Sequence, residues 1–128
     1  MQRVEFNRLV PVLRIFDVPK AKEFYEGFLG CQIDWEHTFD DNSPVYMQVS
    51  RGALVLHLSE HVGDGTPGSV VHIEMQGIDE LHRELTAKNY KYYRPGIDET
   101  EWGTRCMYLI DPFGNKLSFN EPLNARKE

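Results

Sequence analysis

The sequence predicts an α+β domain made of two βαβββ modules, and three observations predict it. The order strand–helix–strand–strand–strand occurs twice; laying Val12 on His72 and Val18 on Ile78 gives a constant offset of 60. The apolar faces of the two helices then coincide, with Ala21 on Leu81 and Tyr25 on Leu85. Between the copies lies Glu60 to Gly68, EHVGDGTPG, whose Gly and Pro content marks a linker. Three strands after each helix exclude a doubly wound parallel sheet. Paired half-open sheets, each covered on its outer face by its helix, are the packing that remains, with the inner faces enclosing a cleft. One domain is expected: module 1 at about 7–59, the linker at 60–68, module 2 at about 69–121 and a polar tail at 122–128.

In chain order, Leu9 to Ile15 reads as a strand, and Pro11 places it at a sheet edge or in an exchanged position. Asp17 is an N-cap and Pro19 suits the first turn of a helix. Ala21, Phe24, Tyr25 and Phe28 recur at helical spacing to Leu29, and Gly30 ends the helix. Strands follow at Gln32–Thr38, Val45–Ser50 and Ala53–Ser59. In the second module Val70–Met75 is a strand and Ile78–Lys88 a helix, with irregular or short strand at Tyr92–Thr100. Thr104–Ile110 and Lys116–Asn120 form a hairpin across Asp111-Pro112-Phe113-Gly114-Asn115, which combines a side-chain acceptor, a fixed φ and a residue free to take φ > 0. That hairpin is expected to carry one wall of the cleft, with Trp102 at its entrance.

The net charge of −6 and scattered Lys and Arg argue against a nucleic-acid partner, which needs a basic stripe. An acidic surface favours a cationic ligand through long-range steering. No apolar run is long enough to span a bilayer, and no signal pattern follows Met1, so a cytoplasmic protein is expected. Cys31 and Cys106 show no CxxC spacing and read as buried thiols.

Several motifs, in order, cover residues from about 8 to 121. They are Val10-Pro11-Val12-Leu13, Asp17…Phe24-Tyr25…Leu29-Gly30, Trp102-Gly103 and Asp111-Pro112-Phe113-Gly114-Asn115. Together they resemble the vicinal oxygen chelate superfamily of glyoxalases, bleomycin resistance proteins and dioxygenases, and look most like its bleomycin resistance branch. The resemblance implies the glyoxalase/bleomycin resistance fold and a homodimer whose first strand is exchanged and whose clefts are shared. Its catalytic members hold a divalent ion on inner strands; the matching positions here are Val10, His57, Val70 and Ser118, of which only His57 can ligate. Such sites need three protein ligands. No cofactor is therefore expected, and the expected function is sequestration of a cationic, partly aromatic glycopeptide antibiotic of the bleomycin type without turnover. The alternatives are a metal-dependent lyase or dioxygenase with a displaced ligand set of His57, His72 and Glu74, and a binder of another metabolite.

The ligand contacts expected are Trp102, His57, Trp35, Phe39, Glu99, Glu101, His72 and Tyr108. Trp102 follows an acidic cluster of Asp98, Glu99 and Glu101, which suits a flat cation beside an aromatic ring. Trp35 reads first as a core residue and second as a ligand contact. Leu54, Leu56 and Leu58 form a stripe suited to the helix-covered side, which turns His57 toward the cleft. Asp111 and Asn115 read as turn architecture, and His37, His61 and His82 as surface or core residues.

Overall fold

A computed structural model describes residues 3–38, 40–90 and 95–123. Its first module contains β1 (Val12–Arg14), α1 (Val18–Lys22), β2 (Gln32–His37), β3 (Tyr46–Arg51) and β4 (Leu54–Ser59). The second contains β5 (Val70–Glu74), α2 (Ile78–Ala87), β6 (Ile97–Glu99), β7 (Thr104–Ile110) and β8 (Lys116–Pro122). Two four-stranded sheets result, in the orders β1-β4-β3-β2 and β5-β8-β7-β6. Each has one parallel pair, β1 with β4 and β5 with β8, and antiparallel pairs elsewhere. The internal duplication extends to the ladder ends: Ile15 N donates to Ser59 O at 2.9 Å, and the equivalent Met75 N donates to Asn120 O at 2.8 Å, the acceptor strand lying one residue further along. β1 is an edge strand, as Pro11 requires, and its pairing is prolonged by His57 N donating to Pro11 O.

Asp17 caps α1 by accepting from Lys20 N at 2.9 Å, and Gly30 takes φ +83° just past the helix. Between them the regular helix expected from the sequence is replaced. From Glu23 to Phe28 the backbone is π-helical, with Leu29 N donating to Phe24 O across five residues. The wider turn lets Phe24, Tyr25, Phe28 and Leu29 all face inward, and each is buried. α2 lacks a capping side chain of its own: Gly77 precedes it at φ +85°, and Glu121 from β8 accepts from Ile78 N at 2.8 Å.

The core is one contiguous body drawn from both modules. Leu56 and Leu58 of β4, Met47 and Val49 of β3, Met107 and Leu109 of β7, and Leu117 and Phe119 of β8 fill it. Period-2 alternation turns the intervening residues of those strands to the opposite, open faces. Polar contacts also tie the modules. Tyr25 Oη donates to Asp111 Oδ2 at 2.6 Å, Asn115 Nδ2 to Arg14 O at 2.9 Å, and Arg51 pairs with Glu84 through two bonds of 2.9 and 2.8 Å. Cys31 and Cys106 are buried and free. Among the described residues no helix is long and apolar enough to cross a membrane.

Candidate functional site

The open face of the first sheet carries an aromatic cluster whose geometry follows from one irregularity. In a regular strand Ile33 and Trp35 would share a face, and Ile33 packs on the core. A register shift between them sets Ile33 opposite Val49 but Trp35 opposite Gln48. Such a bulge turns the residues after it to the other side. Trp35 is consequently 42% exposed, which corrects the expectation of a core tryptophan. It stacks on Tyr46 with ring centroids 6.0 Å apart and planes within 10°, and meets the His57 ring edge-on at 5.3 Å.

His57 is held at both ring nitrogens, 2.8 Å from Tyr46 Oη through Nδ1 and 3.0 Å from Gln48 Oε1 through Nε2. Gln48 Nε2 donates to Asp34 Oδ2 at 3.0 Å, which fixes the amide so that Oε1 faces the imidazole. His57 therefore donates from Nε2, and Nδ1 accepts the tyrosine proton. Burial, helped by the nearby Arg8 charge, keeps the His57 pKa below its usual value. Hydrogen bonds, that from Gln48 foremost, hold the Asp34 carboxyl below the ordinary carboxylate range. A cleft of about 520 Å³ opens beside this cluster, lined by Trp35, His37, Tyr46, His61 and Asp64. His37 and His61, expected to have only surface or core roles, thus stand at the cleft.

The open face of the second sheet is more polar. His72 lies opposite Ser118, and its Nδ1 is 3.2 Å from Asn120 Nδ2, with Glu74 Oε2 4.0 Å from Nε2. Tyr108 is exposed, and the Lys116 ammonium lies 4.0 Å from its ring centroid. Of the acidic cluster, register sets Asp98 opposite Cys106, on the face of Tyr108, and Glu99 opposite Arg105, on the helix-covered side. Glu99, one of the two acidic residues expected among the ligand contacts, thus shares a side with Arg105, while Asp98 stands on the open face. Glu101 and Trp102 form the β6–β7 turn, closed by Thr100 N donating to Thr104 O at 2.8 Å. Trp102 is 73% exposed and does not line the cleft beside Trp35, so it does not stand at that entrance within one chain. Phe39 lies outside the described residues.

The larger cleft, about 850 Å³, runs between modules, where Leu9, Pro11, Leu54 and Val55 face Val71, Ile73 and Leu81. Only Phe119 of the expected hairpin wall reaches it. His72 and Glu74 of the second sheet's open face line this larger cleft, whereas Trp35 and Tyr46 line only the smaller one.

A divalent ion of the kind used by catalytic members does not fit these residues. The parallel registers set Val12 against His57 and His72 against Ser118, so each strand pair offers a single histidine at that level. His57 has both nitrogens engaged, and among the described residues no three His, Cys, Asp or Glu side chains are gathered to hold an ion.

Residues 1–126 match the family model described as glyoxalase superfamily protein. The chain belongs to the glyoxalase superfamily. Among its superfamily relatives is the bleomycin resistance protein of Geobacillus stearothermophilus, 24% identical over 91% of this chain and 97% of the relative. The bleomycin-binding protein of Streptomyces verticillus, solved with copper(II)-bleomycin, is 33% identical, with a TM-score of 0.65 over 91% of this chain and 97% of that one. A bleomycin-binding protein solved with bleomycin superposes with a TM-score of 0.68 at 24% identity over 91% and 98% of the two chains. The glyoxalase/bleomycin resistance fold expected from the sequence is the fold observed. Sequence reasoning left Tyr46 unassigned among the strand aromatics and did not single out Gln48 or Asp64. The alternation of Tyr46, Gln48 and Ser50 with buried Met47 and Val49 was the available signal for the first two.

Proposed function

We propose that this protein sequesters a cationic, partly aromatic glycopeptide of the bleomycin type, withholding it from its target without breaking a bond. The observation that carries the reading is the stacked Trp35–Tyr46 pair on an open sheet face, beside carboxylates and backed by a neutral, doubly hydrogen-bonded His57. Flat heteroaromatic rings stack on such a surface, and acidic groups steer a cation to it. Similarity to proteins that carry bleomycin in their solved structures gives the ligand class its chemistry.

The working unit in this reading is a homodimer with exchanged first strands. Its support is the stretch before β1, where Val4, Phe6 and Leu9 are 85%, 93% and 87% exposed, an apolar row that a second copy would cover. A second copy also supplies what one chain lacks opposite the aromatic face: the Trp102 turn with Glu101 and Asp98, and the Tyr108–His72 face. Isothermal titration with metal-free and copper-loaded bleomycin tests the reading. One ligand per subunit is expected, with Trp35→Ala weakening binding about tenfold, the worth of one good ring contact. Absence of heat with either form contradicts it.

A further inference from the structure

The segment joining the two modules does more than tether them. Ser59 ends β4, and its hydroxyl donates to Asp64 Oδ2 at 2.8 Å while accepting from His61 N at 3.0 Å. Asp64 N donates to His61 O at 3.2 Å, closing a tight turn over the end of the strand. Glu60 is clamped to Val45 through its backbone N and its carboxylate, both at 2.9 Å. Gly65 then runs against β1: its φ is +79°, and a Cβ there would lie 3.0 Å from Val12 O. With both ends held, the turn presents His61 and Asp64 along the Trp35–Tyr46 pair, and His61 comes within 6.4 Å of the Tyr46 ring. Burial first, and the Asp64 charge second, raise the Tyr46 phenol above its usual pKa, so the carboxylate acts electrostatically on that ring.

We propose that this cleft recognises a flat, positively charged heteroaromatic group, with Trp35 and Tyr46 offering ring faces and Asp64 the counter-charge. The inference rests on the aromatic face proposed above as the ligand surface, and it names the chemical group read there. It also gives the inter-module turn a part in specificity. The volume of about 520 Å³ leaves room for a flat bicyclic ring together with the larger molecule that carries it. A ring cation on an aromatic face gains from the ring quadrupole, and a fixed carboxylate adds to that gain. The acidic cluster near Trp102 cannot serve this cleft from within the same chain, since none of its members lines it.

N-methylquinolinium and uncharged quinoline at neutral pH form a matched probe pair, followed by NMR titration of the Trp35 indole. The wild-type protein is expected to prefer the cation about tenfold. Asp64→Asn keeps an oxygen to accept from Ser59 while removing the charge, and should bring the preference close to one. Added salt should narrow the wild-type preference in the same direction, which tests the charge without any substitution. Equal binding of the two probes by the wild type overturns the inference, as does a preference that survives Asp64→Asn or is insensitive to salt. A wild type that prefers the cation yet ignores bleomycin removes the antibiotic reading and supports the cation site.

Discussion

Asp111 does at one residue what a linker does over many. Its Oδ1 accepts from Phe113 N and Asn115 N at 2.8 and 2.9 Å, and its Oδ2 from Tyr25 Oη and Asn115 Nδ2 at 2.6 and 2.9 Å. It is buried, so Asp111→Ala strands donors from both modules; a loss on the order of 3 kcal/mol is expected in urea denaturation. Tyr25→Phe removes one bond and should cost less, about 1 kcal/mol. His57 sets a pH dependence. Burial, then Arg8, lowers its pKa in the folded protein, whereas in the unfolded chain it titrates near 6.5. As pH falls through 6.5 the unfolded chain takes up a proton that the folded one resists. Stability therefore drops below that point and is fully present above it. Thermal midpoints should fall more steeply on acidification in the wild type than in His57→Gln. The turn role of Asp111 was legible from its five-residue motif, but its bond to Tyr25 spans 86 residues and left no local mark.

At the scale of elements, the sequence carried the order and the phase of the strands, because alternation is set by burial and burial was strong. The Leu56–Leu58 stripe and the outward His57 followed from that alternation and are observed. Irregularities defeated it twice. The bulge in β2 reversed Trp35, and the π-helical stretch after α1 added a residue to a turn without altering the apolar spacing of the sequence. Neither leaves a compositional signal, since both arise from what the chain packs against. Contact between elements of different modules is testable at Arg51, which donates to Glu84 and to Leu29 O. Both side chains are more than one-third exposed, so solvent screening keeps the pair modest. Glu84→Gln should cost about 0.5–1 kcal/mol, less at high salt, by denaturant titration.

The whole molecule is two copies of one unit joined by a shared core, with an inter-module cleft and an aromatic cleft lined by separate sets of residues. The duplication was visible in the sequence as a constant offset. The division into two clefts was not, because it depends on how the modules are set against each other rather than on any residue pattern. In the proposed arrangement a second copy covers the aromatic face, and removing residues 1–9 should shift light scattering toward monomer while Trp35 keeps its stacked environment. The two tryptophans, one on each half, make the binding claim directly measurable. Protein labelled with 5-fluorotryptophan gives two ¹⁹F resonances, assigned with Trp102→Phe, which are followed while metal-free bleomycin is added and then recovered for mass analysis. Sequestration expects both resonances to move together, saturating at one ligand per subunit, with the antibiotic returned at unchanged mass. A motionless Trp35 resonance, or an antibiotic altered in mass, would contradict it.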